Sequence, residues 1–299
     1  MSVTALATSS AAPPVAATAR SRGYWSGVGR RILRDPLTMG CAGVLLLIAA
    51  AAVLAPWILP VDPYKTSMLH RLAPMGSAGY LLGADELGRD MAARLIHGGR
   101  LSLMLGVLPV VFAFVIGGSI GILAGFAGGW LNMVLMRSLD VFYAFPSVLL
   151  AVAISGALGS GMSNSIIALT VVFVPQISRV AESVTTQVRS LDYVEAARMS
   201  GASAFTIIRA HVLGNVMGPI FVYATGLVSV SLILGSGLSF LGLGVKPPEP
   251  EWGLMLTTLR SAIYVNPAVA ALPGAMIFVT SMCFNLMADG IRSAMDTKA

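Results

Sequence analysis

The chain has 299 residues, of which 56% are hydrophobic and only 11% are charged, with a mean hydropathy of +0.83. Those proportions exclude an ordinary soluble globular domain. The net charge of +6 sits beside apolar stretches, which fits membrane orientation better than nucleic-acid binding.

Residues 1–22 are rich in Ala, Ser, Thr and Pro and contain no acidic residue. Such a segment cannot bury a core, and it reads as a disordered cytoplasmic tail. The first apolar run begins after Asp35 and is longer than the apolar core of a signal peptide, so it reads as a retained span. No Asp, Glu, Lys or Arg occurs in 36–61, 101–136, 141–178, 210–245 or 261–288. A crossing helix needs about 20 apolar residues. The 141–178 gap is too long for one span, and its Gly/Ser-rich centre GALGSGMSNS marks a turn.

The expected fold is therefore an all-α polytopic membrane protein with six spans, at about 37–60, 101–125, 133–157, 163–183, 218–240 and 267–288. Six crossings put both termini on one side. Arg20, Arg22, Arg30, Arg31 and Arg34 precede the first span and place that side in the cytoplasm. On that orientation twelve of the 19 Lys and Arg residues are cytoplasmic and seven exterior. The domain reading is a basic tail (1–34), a first span (35–60), an extracytoplasmic segment (61–100) and a five-helix core (101–299). The core carries a cytoplasmic loop at 182–217.

In the exterior segment a short helix is expected over about 86–97, capped by Asp85 and stopped at Gly98, with Asp90 and Arg94 paired at i,i+4. In the second span Gly117, Gly121 and Gly125 form a GxxxGxxxG ridge, the pattern of a tight helix–helix seam in lipid. Pro109, Pro146, Pro175 and Pro273 fall within spans, where they act as hinges or shape a cavity. Arg137 and Asp140 read as an interfacial ion pair. SFLGLGVKPPEPEWG at 239–253 is an exterior loop. Cys41 and Cys283, both within spans, make neither a metal spacing nor a disulfide framework.

The polar loop is the informative segment. Asp192 with Glu195 three residues on predicts a capped helix over 193–200, and Gly201 provides its stop. Ser203 caps a second short helix over 204–213, whose Phe205, Ile207, Ile208 and Val212 are expected to pack back on the spans. Arg198 and Arg209 face solvent or a partner. Two short helices thus flank the small-residue elbow Gly201, Ala202 and Ser203. The plain alternative is a polar connector.

The stretch EAARMSGASAFTIIRAHVLG at 195–214 resembles the EAA loop of ABC importer permeases. Glu195, Ala196, Ala197, Gly201 and Leu213 match its pattern, whereas His211 replaces an apolar residue and Gly214 a proline. His211 is usual in the dipeptide, oligopeptide and nickel branch. LGADELGRD, GGRLSL, MRSLDVFYAFPS, SFLGLGVKPPEPEWG and FNLMADGIRSAMD also resemble that branch, so the likeness covers roughly 83–296. It implies the importer transmembrane-domain fold in a bacterial inner membrane, and the C-type member of a permease pair. It further implies a homologous second permease, two ABC ATPase subunits fitted to the elbow, and an extracytoplasmic solute-binding protein. The cargo would be small peptides, related solutes or nickel chelates.

The sequence has no G-x-x-x-x-G-K-[ST], so no phosphate-cradling loop. No cofactor is expected on this chain, and ATP and Mg belong to the partner ATPases. His70, His97 and His211 are scattered, with no metal-binding cluster. The chain therefore reads as a pore subunit rather than an enzyme, in contact with membrane lipid and not nucleic acid. The alternative is an ion-gradient-driven secondary transporter, disfavoured by the lack of internal repeats and of mid-span carboxylates.

Overall fold

The computed structural model describes residues 24–296, and the expected tail at 1–22 lies outside them. Among the described residues the chain is helical and contains no strand. A basic helix α1 (Tyr24–Arg34) leads into the first span, α2 (Pro36–Val53). Asp35 separates them, accepting from the amides of Leu37 and Thr38 (both 3.3 Å), while Pro36 sits where a helix needs no amide donor. A one-turn helix α3 (Ala55–Ile58) ends the span on the exterior side.

The next helix, α4, runs unbroken from Met91 to Ala127 over 37 residues, about 55 Å at 1.5 Å per residue. This corrects the expected separate exterior helix at 86–97. Its cap is Asp90, which accepts from the Ala93 amide at 2.7 Å. Asp85 lies in the preceding turn and Arg94 pairs with it (3.3 Å) rather than with Asp90. Gly98 does not stop the helix. A Cβ there would lie 1.7 Å from the Pro250 carbonyl oxygen, so this glycine admits the exterior loop against α4.

The third crossing is not one rod. Helices α5 (Gly129–Tyr143) and α6 (Ser147–Leu158) meet at 86°, and Pro146 stands at the break as the N-cap of α6. Neither piece reaches the length a crossing needs, whereas five other helices do; counted as one broken span, the bent pair brings the candidate spans to six. Past a turn containing Gly159 (φ +87°), α7 (Met162–Arg189) returns to the cytoplasmic side. Then come α8 (Asp192–Met199), α9 (Ala204–Ile207), α10 (Leu213–Phe240), α11 (Trp252–Thr258) and α12 (Pro267–Asp296). Arg31 donates to the carbonyl of Ala294 at 3.2 Å, which puts both ends of the described chain on one side of the bundle.

The most intimate pair is α4 with α7. A Cβ at Gly117, Gly121 or Gly125 would lie 2.7, 2.3 or 2.7 Å from a carbonyl oxygen of Val174, Ser178 or Glu182 respectively. Backbone therefore meets backbone along three turns, and Ser178 adds a hydrogen bond to the Gly117 carbonyl (3.0 Å). Lipid offers no hydrophobic drive between helices, so such close approach carries the association. Around this seam, Phe173, Ile177, Val216 and Ile220, all fully buried, form the main apolar cluster.

Candidate functional site: the cytoplasmic elbow

The elbow begins where α7 ends. Arg189 reaches back to α4, donating to the carbonyls of Gly125 (3.2 Å) and Phe126 (3.1 Å). Those carbonyls have no partner within the helix, so a cation there complements the helix terminus. Arg198 of α8 stands 5.9 Å above the Phe126 ring, a cation–π contact with the same end of α4.

Helix α8 starts one residue earlier than the expected 193–200. Leu191 is its N-cap and makes no side-chain cap bond, so Asp192 lies inside the first turn beside Glu195. This corrects the expected Asp192 capping box. Both acids still oppose the positive end of the helix. At the other end, Gly201 donates to the Arg198 carbonyl (3.0 Å) and Ala202 to that of Ala197 (3.2 Å). That pair of bonds with Gly201 at φ +78° is the Schellman termination, which an L side chain adopts only with strain. Space is not the reason for glycine here, since a Cβ would meet nothing within 4 Å.

Ser203 caps the following helix, its hydroxyl accepting from the Thr206 amide at 3.2 Å. That helix is not a short separate one. It passes from α9 through a π-helical turn, Ile208–Val212, straight into α10, giving one apolar helix over Ala204–Phe240. With glycine at 214 in place of proline, the amide donor at that position remains, and the helix carries a proline five residues further on, at Pro219. The elbow's second arm is therefore the cytoplasmic end of the fifth span itself.

The two faces of the elbow differ. Val194, Ile207 and Val212 are buried to within 1% and belong to the main apolar cluster, with Ala197 and Ala202 packed against it. Outward stand Glu195, Ala196, Gly201, Ser203 and Arg209, together with Met199 (87% exposed) and Phe205 (73% exposed). Phe205 thus departs from the expectation that it packs on the spans. It lies in the first turn of α9 on the solvent side, about 200° around the helix from Ile207.

Sequence reasoning missed a tie across the elbow. Asn215 of α10 donates from Nδ2 to the Tyr193 hydroxyl of α8 (3.0 Å) and to the His211 carbonyl (2.7 Å), and the Tyr193 and His211 rings lie 6.1 Å apart. The π turn carries His211, a local widening of the helix of the kind often found at functional sites. Gly117, Gly121 and Gly125 lie away from this elbow, within the α4–α7 seam.

Beside the elbow, a polar cleft of about 450 Å³ opens between α5 and α7. Asp140 pairs with Arg179 across it, and Arg137, mostly exposed, stands 3.6 Å from Asp140. The interfacial pair expected from sequence is thus a triad whose closer arginine comes from another helix. Asn132 donates to Glu182 at 2.6 Å. Among the described residues no group of three or more His, Cys, Asp or Glu side chains is placed to hold a metal ion.

Comparison with known proteins gives a consistent result. Residues 117–298 match the model of the binding-protein-dependent transport system inner membrane component. Residues 23–74 match that of the N-terminal TM domain of oligopeptide transport permease C. The chain is 38% identical over 285 residues, 95% of both chains, to the glutathione transport system permease protein of Pectobacterium atrosepticum. It is 42% identical over 259 residues to the di/tripeptide transport system permease protein of Pseudomonas aeruginosa, covering 85% of this chain and 86% of that one. In fold it resembles a chain of the MetNI methionine ABC transporter, with a TM-score of 0.57 at 19% identity over 70% of this chain and 98% of that one.

Proposed function

Because this chain belongs to the family of binding-protein-dependent transport system inner membrane components, we propose that its elbow is the handle by which an ATPase subunit moves the spans, and that its cargo is short peptides. The chain is the permease subunit of an ABC importer in a bacterial inner membrane. Family membership sets aside the ion-gradient alternative. The peptide reading rests on the relatives just named, a glutathione and a di/tripeptide permease; of the classes left open by resemblance, these favour peptides over nickel.

One observation carries the handle. The elbow presents Met199 and Phe205 to solvent above a Gly201 turn with open space around it, while its underside is fixed in the core by Val194, Ile207 and Val212. Exposed apolar residues around a charged rim mark a contact surface. Since the second arm is continuous with α10, force on the elbow passes along one helix into a span, through the π turn and Pro219. The ATPase cleft would close over Glu195, Ala196, Gly201, Ala202 and Ser203. Two such ATPases, each with its own ATP and Mg, would serve this permease and a homologous second one, with His211 and Tyr193 bracing the base of the handle. An extracytoplasmic binding protein would deliver the peptide. Coupling of this kind requires that the ATPase contact the elbow differently in its two states.

Replacing Gly201 with a bulky residue tests the reading. A Gly201→Trp variant should insert and assemble normally, since a left-handed non-glycine residue costs only about 1–2 kcal/mol, yet lose uptake while ATP hydrolysis continues. Uptake at the wild-type rate in reconstituted vesicles would refute the handle.

A further inference from the structure

Between α2, α4 and α12 lies a membrane-facing groove of about 750 Å³. Every lining residue is apolar except Arg100. At the exterior end α2 closes on α4, where a Cβ at Gly99 would stand 3.1 Å from the Ala52 methyl, a tight contact. Deeper in, Cys41 and Leu45 pack with Cys283 of α12. Between these contacts the helices stand apart, and Leu46 and Met104 are 73% and 48% exposed.

The groove has the dimensions of one leaflet. Along α2 it extends from Ala42 to Val53, eleven steps of about 1.5 Å, or roughly 16 Å against a hydrocarbon core of about 30 Å. At its exterior end the Arg100 guanidinium donates from Nε to the Ala52 carbonyl (2.5 Å) and from Nη2 to the Val53 carbonyl (2.7 Å). Those oxygens belong to the last turn of α2 and lack helical partners. The side chain is nonetheless exposed, and Nη1 has no acceptor among the described residues. A fixed, half-occupied guanidinium at headgroup depth suits a phosphate, which it binds through a planar fork.

We propose that this groove holds an acyl chain of an anionic phospholipid from the exterior leaflet, with its phosphate on Arg100. An unfilled apolar gap of this size would forfeit the dispersion contacts of its whole lining, and hydrocarbon is the solvent that reaches it. The position gives the lipid a role. The first span belongs to a separately matched segment, residues 23–74, whereas the core match begins at 117. The acyl chain thus lies between the appended first span, the part of α4 that precedes the core match, and Phe284 and Met287 within that match.

The test uses the purified, fully assembled importer, delipidated and then titrated with phosphatidylglycerol or phosphatidylcholine of identical chains, with bound lipid counted by native mass spectrometry. Wild type should retain phosphatidylglycerol in preference. Arg100→Gln should reduce that preference about fivefold, the factor for one arginine meeting an anionic headgroup. Arg100→Lys should keep most of it, separating charge from the capping of α2. Ala49→Phe, which fills the groove, should displace both lipids. Equal retention of the two lipids by wild type, an unchanged preference in Arg100→Gln, or a photocrosslinker at Met104 that captures the second permease instead of lipid would each overturn the assignment.

Discussion

The two ends of the bundle treat charge in opposite ways. At the exterior end Asp85, Arg89, Arg94 and Glu251 are each at most 5% exposed. Arg89 Nε donates to Asp85 at 2.6 Å, Arg94 Nη1 to the Pro63 carbonyl at 3.2 Å, and Glu251 accepts from the amides of Gly253 and Leu254 at 2.8 Å. Burial still pushes the Glu251 carboxyl above its ordinary range. At the elbow Glu195, Arg198 and Arg209 are exposed, among Met199 and Phe205. Buried charges persist only when paired or hydrogen-bonded, and these four find such partners within the chain. The elbow leaves apolar and charged groups for something else to cover.

The sharpest way to break that contrast is at the exterior. Asp85→Ala would leave Arg94 without a carboxylate and Arg89 with Glu86 alone (3.3 Å), and removing one partner of a buried ionic cluster costs about 3–5 kcal/mol. The purified protein should show a large fall in thermal midpoint. An unchanged midpoint would mean that water reaches this cluster.

Next in size is a pair of glycines with unlike reasons for being glycine. Gly121→Val would drive a side chain into the Ser178 carbonyl, 2.3 Å from the new Cβ, with an overpacking cost of about 1–3 kcal/mol. Stability should fall with uptake, in contrast to Gly201→Trp, where uptake falls alone. Equal thermal midpoints for Gly121→Val and wild type would show that α4 and α7 separate easily.

The smallest effect is expected at the tie across the elbow. Tyr193→Phe removes one of the two acceptors of Asn215, leaving the His211 carbonyl, a net loss of at most about 1 kcal/mol. It should lower the number of peptides taken up per ATP hydrolysed without changing ATPase assembly. An unaltered ratio would leave the handle intact but assign its stiffness to Val194, Ile207 and Val212.

Much of the fold was readable in the residues. Charge gaps located the spans because an unpaired charge is costly in hydrocarbon, and the Gly117, Gly121 and Gly125 spacing pointed to one face of a helix. Gly201 and Ser203 marked their helix ends through local chemistry that needs no distant partner. What failed depended on distant contacts. Gly98 looked like a stop, but the loop carrying Pro250, remote in sequence, packs on it and α4 continues. Asp85 looked like a helix cap, and it does accept from the amides of Leu87 and Arg89 (both 2.9 Å), but those amides belong to a turn, and Arg89 and Arg94 pair with its other oxygen. Phe205 looked like core because it is apolar, though its place at the start of α9 turns it outward. The Tyr193–Asn215 bond joins residues 22 apart, a separation at which no local signal operates.

The most direct test of the central claim is a crosslink from the elbow in the working assembly. Cys41 and Cys283 are buried, so Ala196→Cys, at an exposed position of the elbow, provides one accessible thiol for a short bifunctional reagent. The account predicts that it captures a nucleotide-hydrolysing subunit, and that the yield changes between ATP-bound and nucleotide-free states. A crosslink that never includes that subunit in a complex active for uptake would contradict it.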